Sequence, residues 1–270
     1  MAGFKEAVKE ILPEALINRI RNEKDALQRV SQDLEAAVHP LRRASIRGIR
    51  KFHKRHQGER CFIIGNGPSL QNTDMRKLRD EFTFGLNRIY LMFEELGFST
   101  SVFVSINDLV IEQSAADIQS LALPKFCSWR SRQWLAPQDD LYFLYTTYTG
   151  PKFAKNAAGR LWEGATVTYV ALQLAYYFGF SEVILIGVDH NFATKGKPNT
   201  TITSQGDDPN HFNPKYFGKG FRWQLPDLET SEIAYRMARG AFEADGRRVV
   251  DATVGGKLAV FPKVDYASLF

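Results

Sequence analysis

The spacing of apolar positions along the chain changes near residue 60. Between residues 4 and 38, apolar side chains recur every three or four positions, which predicts amphipathic helices. After residue 60, short apolar runs alternate with helical stretches. The runs that predict strands are 61–64, 82–85, 102–106, 183–187 and 248–250. The stretches that predict helices lie near 74–80, 88–96, 109–120, 166–178 and 227–244.

Strands that are apolar on both faces and separated by helices are typical of a parallel sheet covered on both sides. The sequence therefore predicts an α/β fold with a mostly parallel sheet, helices on both faces, and an N-terminal helical arm. We expect the arm to occupy residues 1–58, with a basic segment at 42–60. The catalytic domain is expected at 59–270, with a polar, lid-like loop at 190–226.

Charge is distributed unevenly along the chain. The 270 residues hold 35 Lys and Arg against 30 Asp and Glu, a net charge of +5. Residues 1–60 hold 14 basic and 8 acidic side chains, which leaves 21 basic and 22 acidic for 61–270. A nearly neutral body lacks the broad basic face of a nucleic-acid-binding protein, and we expect no nucleic-acid partner.

The arm has two interpretations that the sequence leaves open. In the first, its helical part packs either on the body of the same chain or on a second copy of the chain. Packing on a second copy would produce a homo-oligomer. Alternatively, the basic segment 42–60, which interleaves cations with Ile46, Ile49 and Phe52, contacts a membrane surface peripherally. The two cysteines, Cys61 and Cys127, lie in apolar runs and predict small core residues in strands. With no secretory signal, these features indicate a cytoplasmic protein, at most peripheral to the inner membrane.

The sharpest local motif follows the first predicted strand and precedes a predicted helix. It comprises Gly65, Asn66, Gly67, Pro68 and Ser69. Glycines allow the backbone to approach a ligand, and a helix N-terminus offers free N–H groups to a phosphate. The motif predicts a nucleotide site, although Leu70 replaces the third glycine of the dinucleotide fingerprint. A plain strand-to-helix turn is the alternative.

Other polar residues follow further predicted elements. Asn87 and Asn107 each follow a predicted strand, and amides there pair with a base or a ribose, or cap a helix. Gly164 and Thr166 open a predicted helix and suggest a second N-terminus facing the same pocket. We therefore include all four in the predicted nucleotide site.

Catalytic candidates lie in and before the long loop. Asp189 and His190 follow the strongest strand, and His211 lies in the loop itself. Asp207 and Asp208 are candidate ligands for Mg²⁺ around a diphosphate, although their spacing matches no known metal motif. We favour His211 over His190 as the general base, because mobile loops commonly deliver catalytic groups to a bound ligand.

The Asn-Gly-Pro-Ser loop, Asn87, and the block from Thr166 to Asp189 resemble a family of Rossmann-like proteins. That family comprises 6-hydroxymethylpterin diphosphokinase-like (MptE-like) and uncharacterised members. The same features resemble bacterial CMP-sialic-acid-dependent sialyltransferases and motility-associated nonulosonate transferases. The likeness covers about residues 60–260.

The resemblance implies a transferase that binds a nucleotide or nucleotide sugar. In the transferase branch, CMP is the leaving group and a His base activates a glycan or small-molecule acceptor without a metal. This implies a glycosyltransferase in surface glycan assembly that uses a CMP-linked acidic sugar. The diphosphokinase branch implies ATP, Mg²⁺ and a pterin-type alcohol. A non-catalytic nucleotide-binding scaffold is the third hypothesis.

Overall fold

The computed structural model describes residues 37–148, 152–194 and 196–270, together with Val30 and Leu34. The chain divides into one unit at Met1–Arg43 and a larger one at Ala44–Phe270. Most of the helical arm predicted at 4–38 lies outside the described residues. Within the described part, none of the helices has the length and apolar content that crossing a membrane requires.

An eight-stranded parallel sheet forms the centre of the larger unit. Its strand order is β10-β7-β1-β2-β3-β4-β5-β6. These strands are β1 (Arg60–Ile64), β2 (Thr83–Leu86), β3 (Val102–Ser105), β4 (Lys125–Ser128), β5 (Leu141–Thr147), β6 (Arg160–Trp162), β7 (Glu182–Ile186) and β10 (Arg248–Asp251). A separate antiparallel hairpin joins β8 (Thr201–Thr203) to β9 (Arg222–Gln224). The predicted α/β fold with a Rossmann-like parallel sheet is thus confirmed.

Six α-helices accompany the sheet in the described residues. They are α1 (Pro40–Arg50), α2 (Phe93–Leu96), α3 (Asp108–Gln113), α4 (Ala115–Ser120), α5 (Val167–Phe178) and α6 (Leu228–Ala244). Every α5 residue after Val167 is buried. This helix is therefore the hydrophobic centre on one face of the sheet, and it ends at Gly179, whose φ of 103° suits glycine.

The structure departs from the predicted elements in several places, including the helix predicted at 109–120, which is divided into α3 and α4. Short 3₁₀ turns at Pro68–Asn72 and Met75–Leu78 replace the helix expected at 74–80. Strands β5 and β6 were not predicted, because β5 mixes aromatic with polar positions and β6 has only 3 residues. The loop predicted at 190–226 contains the β8–β9 hairpin.

We expect the ring of Phe178 to be a major source of stability. It is fully buried and contacts Phe52, Phe84 and Phe126 at centroid distances of 4.8, 5.5 and 5.6 Å. Phe178→Ala should lower the free energy of unfolding by about 3–5 kcal/mol, measured by urea denaturation. The control Ile233→Ala, at a side chain 41% exposed, should change it by about 0.5 kcal/mol or less. Similar losses for both variants would contradict this packing.

Candidate functional site

A cleft of about 820 Å³ opens at the carboxyl edge of the parallel sheet. β1 pairs with β2 on one side and with β7 on the other, so the strand order reverses direction at β1. Ligands of open α/β sheets bind at such a reversal. The cleft is lined by strand-end residues, by the first turns of α5 and α6, and by parts of the segment 190–226.

The glycine motif is packed tightly against the end of β7. Gly65 N donates to Ile186 O at 2.8 Å, and Gly67 N donates to Gly187 O at 2.9 Å. A Cβ on Gly65 would lie 2.2 Å from Gly187 O. The glycines are therefore required by the contact between two strand-end loops, and not by a ligand alone as the sequence suggested.

Asp189 fastens the same contact. Its carboxylate accepts the Ser69 N–H at 3.1 Å and the Ser69 hydroxyl at 2.7 Å. Burial raises the pKa of Asp189, although the bonds from Ser69 oppose the rise. The N–H expected to meet a phosphate thus already binds a carboxylate, and a five-residue 3₁₀ turn follows in place of an α-helix. Asp189 thus bridges the two loops, and the catalytic role that the sequence suggested for it stays a prediction.

The three predicted asparagines all line the cleft. Asn87 has a left-handed φ of 49°, and its Oδ1 accepts from Ser105 Oγ at 3.0 Å. Asn107 caps α3, with its Oδ1 accepting Val110 N at 3.2 Å. Asn66 is 9% exposed, and its Oδ1 has no hydrogen-bond partner among the described residues. Of the three, Asn66 has the amide oxygen least committed to the fold.

His211 and Asp208 form a hydrogen-bonded pair at the cleft. The His211 Nδ1 lies 2.6 Å from Asp208 Oδ2. The Asp208 side chain is 2% exposed and also accepts the N–H groups of Asn210 at 2.8 Å and Phe217 at 3.2 Å. A carboxylate held in this way fixes Nδ1 as the protonated nitrogen of a neutral imidazole. His211 Nε2, which has no partner in the described part of the chain, is then available as a proton acceptor.

The His211 ring is fixed by its neighbours as well. It stacks on Tyr216 at 4.0 Å with an interplanar angle of 8°. The next residue, Phe212, donates its N–H to Asn66 O at 2.9 Å and accepts from Gln71 Nε2 at 2.6 Å. These bonds tie the histidine to the glycine motif, although 145 positions separate the two along the chain.

Further contacts attach the long loop to the body. Arg88 donates to the backbone oxygens of Lys215 and Tyr216, and Gln113 pairs with the backbone of Arg222 at 2.8 and 2.9 Å. The loop aromatics largely pack on one another, since Phe217 stacks on Phe221 and Trp223 at 4.9 and 5.4 Å. Tyr216, Phe217 and Trp223 nevertheless line the cleft.

His190 has a different set of contacts. It adopts a left-handed φ of 52°, and its Nε2 lies 3.1 Å from Glu232 Oε1 on α6. The hydrogen bond from His190 lowers the pKa of Glu232, and Arg236 adds to the effect. Both histidines pair one ring nitrogen with a carboxylate, but the Glu232 side chain is 41% exposed whereas that of Asp208 is 2% exposed. His190 is therefore less firmly oriented than His211, and it is the less suitable of the two as a base.

The first turn of α5 is a candidate site for an anion, although Thr166 N already donates to Glu163 O at 3.1 Å. Gly164 and Ala165 adopt φ values of 55° and 58°, and a Cβ on Gly164 would lie 2.5 Å from Ala234 Cβ. Thr166 then caps the helix by accepting Thr168 N at 3.3 Å. Ala165, Thr166, Val167 and Thr168 line the cleft, whereas Gly164 does not. The N-terminus of this 12-residue helix therefore faces the ligand space.

The sequence did not reveal a cluster of side chains around a single arginine, Arg130, near the ends of β4, β5 and β6. Arg130 Nε lies 3.0 Å from Asp108 Oδ2, and its Nη2 lies 2.7 Å from Glu163 Oε1. Its guanidinium carbon lies 4.4 Å from the Tyr148 ring centre. Burial raises the pKa of Glu163, although Arg130 opposes the rise. The position of Arg130 could have identified it from the sequence. Arg130 comes shortly after β4, just as Asn87 comes directly after β2.

The lining of the cleft is acidic. Its described residues include Asp108, Glu163, Asp189 and Asp227 but neither lysine nor arginine. The predicted metal ligands do not come together here, because Asp207 is exposed and Asp208 is bound to His211. Among the described residues, no group of three or more His, Cys, Asp or Glu side chains is arranged to hold a metal ion.

The fold and this cleft define a Rossmann-like α/β protein with a cleft at the carboxyl ends of its strands. Residues 39–195 match the family described as 6-hydroxymethylpterin diphosphokinase MptE-like. Since the match covers more than half of the 270 residues, the chain belongs to the MptE-like family. The family resemblance predicted from the sequence is thereby confirmed.

One similar solved structure is described as MAf glycosyltransferase from Magnetospirillum magneticum AMB-1. The two chains share 14% identity and superpose with a TM-score of 0.53, covering 85% of this chain and 39% of the other. This chain thus spans about two fifths of that protein, and the likeness shows the shared fold. The sequence matches no curated protein.

We expect Asp189 to act as a bridge that tolerates an isosteric amide. Asp189→Asn keeps an acceptor for Ser69 N–H and a donor for Ser69 Oγ, whereas Asp189→Ala leaves Ser69 unpaired and should cost about 1–3 kcal/mol. The raised pKa adds a pH dependence. Because the pKa is raised in the folded protein, Asp189 contributes most to the free energy of unfolding below the unfolded pKa of about 3.9. This contribution is lost as the pH rises through the pKa of the folded protein.

Asn does not titrate, so Asp189→Asn does not undergo this loss. Its free energy of unfolding should therefore rise relative to that of the parent protein between about pH 4 and pH 7. Urea denaturation of the parent protein and of both variants at the two pH values measures this. Equal destabilisation by Asn and Ala at neutral pH would contradict the bridging role.

Proposed function

We propose that this protein is a nucleotide-dependent transferase, and specifically a glycosyltransferase that uses a CMP-linked acidic sugar in surface glycan assembly. The observation that carries the proposal is the Asp208–His211 pair, which presents an oriented imidazole to an amide-lined cleft. The likeness in fold to a glycosyltransferase is consistent with it.

In the proposed reaction, His211 Nε2 takes the proton from an acceptor hydroxyl. The acceptor oxygen forms a bond to the anomeric carbon of the sugar, and the bond from that carbon to the phosphate oxygen of CMP breaks. CMP leaves with the bonding electron pair, and the configuration at the anomeric carbon inverts. Asp208 stabilises the imidazolium that forms, because its carboxylate lies 2.6 Å from Nδ1.

The nucleotide is placed by the remaining polar groups. We assign the base and ribose to the amides of Asn66, Asn87 and Asn107, which bind without adding charge. The phosphate is assigned to the first turn of α5, from Ala165 to Thr168, where N–H groups and the helix dipole favour an anion. Gly65 and Gly67 support this site by letting the neighbouring loops approach closely.

The charge of the cleft bears on the choice of nucleotide. The ester of CMP with an acidic sugar carries one charge on its phosphate and one on the sugar carboxylate, whereas the triphosphate of ATP concentrates several charges on adjacent phosphates. The described lining offers four carboxylates and no lysine or arginine to balance several phosphate charges. Each of these carboxylates already has a protein partner: Asp108 and Glu163 bind Arg130, Asp189 binds Ser69, and Asp227 caps α6. The cleft therefore suits a nucleoside monophosphate donor better than a triphosphate.

The second candidate is the diphosphokinase activity in the family description. In that reaction an alcohol oxygen attacks the β-phosphorus of ATP, AMP leaves, and His211 again accepts the proton. Such a donor requires Mg²⁺ to balance its charge. The predicted ligands Asp207 and Asp208 do not fit that ion, because Asp207 does not line the cleft and Asp208 is bound to His211.

Nucleotide binding distinguishes the two candidates. Calorimetric titration of the full chain should show CMP binding without added Mg²⁺, and thermal unfolding should shift upward in the same buffer. ATP should bind more weakly, with or without Mg²⁺. Tight binding of ATP that requires Mg²⁺, together with no binding of any cytidine nucleotide, would favour the diphosphokinase and overturn the glycosyltransferase.

His211→Gln tests the assigned base. Without a proton acceptor at this position, kcat with a CMP-sugar donor should fall about 10²–10⁴-fold, while the Kd for CMP stays unchanged. His53→Gln is the matched control, because His53 is exposed and stacks on Tyr177 away from the cleft. Full turnover by His211→Gln would remove His211 from the mechanism.

A further inference from the structure

A group of exposed cations lies on residues 47–55, which comprise the end of α1 and the turn that follows it. We call it the basic patch. It comprises Arg47, Arg50, Lys51, Lys54 and Arg55, all exposed. None of these side chains forms an ion pair with an acidic residue in the described part of the chain. Arg42, which the sequence suggested as part of the same basic segment, is buried and does not belong to the patch.

The backbone that carries the basic patch is firmly attached to the core. Ile49 is fully buried, and the Phe52 ring stacks on Phe178 at 4.8 Å. Lys54 N donates to Tyr177 O and His56 N donates to Phe178 O, both at 2.9 Å. The apolar side of the segment is thus used in packing, and the cations are presented on its outer side as a fixed set.

The patch holds more charge than the fold requires. Cations near the C-terminus of α5 stabilise the helix dipole, but this effect is confined to the last turn. Residues 42–60 contain eight basic side chains and one acidic side chain, whereas residues 61–270 are nearly neutral. The positive charge of the protein is therefore concentrated in one place, which favours an anionic partner there.

The patch and the cleft lie at opposite ends of α5. Thr166 opens this helix at the cleft, and the carbonyls of Tyr177 and Phe178 at its other end meet the backbone of the patch segment. Twelve helical residues span about 18 Å. A large partner at the patch therefore leaves the cleft open to its ligands.

We propose that the basic patch binds the anionic surface of a lipid membrane. Binding is electrostatic, since Ile49 is buried, Phe52 is half-buried, and no large hydrophobic side chain of residues 47–55 is exposed for insertion. Within 47–55 the one exposed ring, that of His53, already stacks on Tyr177 at 4.7 Å, so the segment lacks the free stacking platform typical of single-stranded nucleic-acid sites. The proposal concerns a surface remote from the cleft and does not depend on the reaction.

Sedimentation of the full chain with lipid vesicles tests this assignment. The protein should bind vesicles containing phosphatidylglycerol, release at high salt, and ignore pure phosphatidylcholine. The triple variant Arg47→Glu, Arg50→Glu and Lys51→Glu should lose at least tenfold in partitioning. The matched control, Lys197→Glu, Lys215→Glu and Lys219→Glu, reverses three charges in the cleft-side loop and should keep the parent affinity.

Three results would overturn the proposal. The first is unchanged vesicle binding by a folded patch variant, which would assign any membrane contact to another part of the chain. The second is an equal loss of vesicle binding by the control variant, which would indicate that binding depends only on the net charge of the protein. The third is tighter binding of a DNA duplex or a single-stranded RNA than of the vesicles at equal ionic strength. If the Glu variant does not fold, the Gln substitutions at the same three positions should show a smaller loss in the same direction.

Discussion

The loops that follow β1 and β7 approach so closely that a side chain on Gly65 or Gly67 would overlap the loop after β7. This contact joins β1 and β7 at the point where the order of the sheet reverses. Asp189 closes it through two bonds from Ser69. The positions of the other groups in the cleft follow from this junction.

The junction also places His211, whose ring is oriented by its neighbours. Asn66 contributes its backbone oxygen to Phe212, so the residue after His211 is bonded to the glycine motif. Asp208 and Tyr216 then fix the imidazole from its edge and its face. Positioning by several fixed contacts is what a general base requires, because proton transfer depends on hydrogen-bond geometry before it depends on pKa. In the function proposed here, the acidic lining, with its carboxylates already paired, limits the phosphate charge of the donor.

The sequence predicted the sheet where burial was continuous, as in Val183–Ile186, and placed Asn87, Asn107 and Asp189 at strand ends. It did not predict β6, because three residues carry no usable periodicity, nor the 3₁₀ turns after the glycine motif. The roles of the site residues depend on contacts between distant positions. Ser69 and Asp189 are 120 residues apart, and Arg130 joins Asp108 to Glu163. Local spacing does not encode such contacts, so the sequence located the site better than it assigned its chemistry.

A crystal structure with an inert CMP-sugar analogue tests the central claim most directly. The base and ribose should lie against the amides of Asn66, Asn87 and Asn107, and the phosphate on Ala165–Thr168. His211 Nε2 should be the protein base that faces the anomeric carbon, and the Ser69–Asp189 bridge should be intact. A phosphate bound by the Gly65–Ser69 loop with Asp189 displaced, or an anomeric carbon facing Glu163 instead of His211, would contradict it.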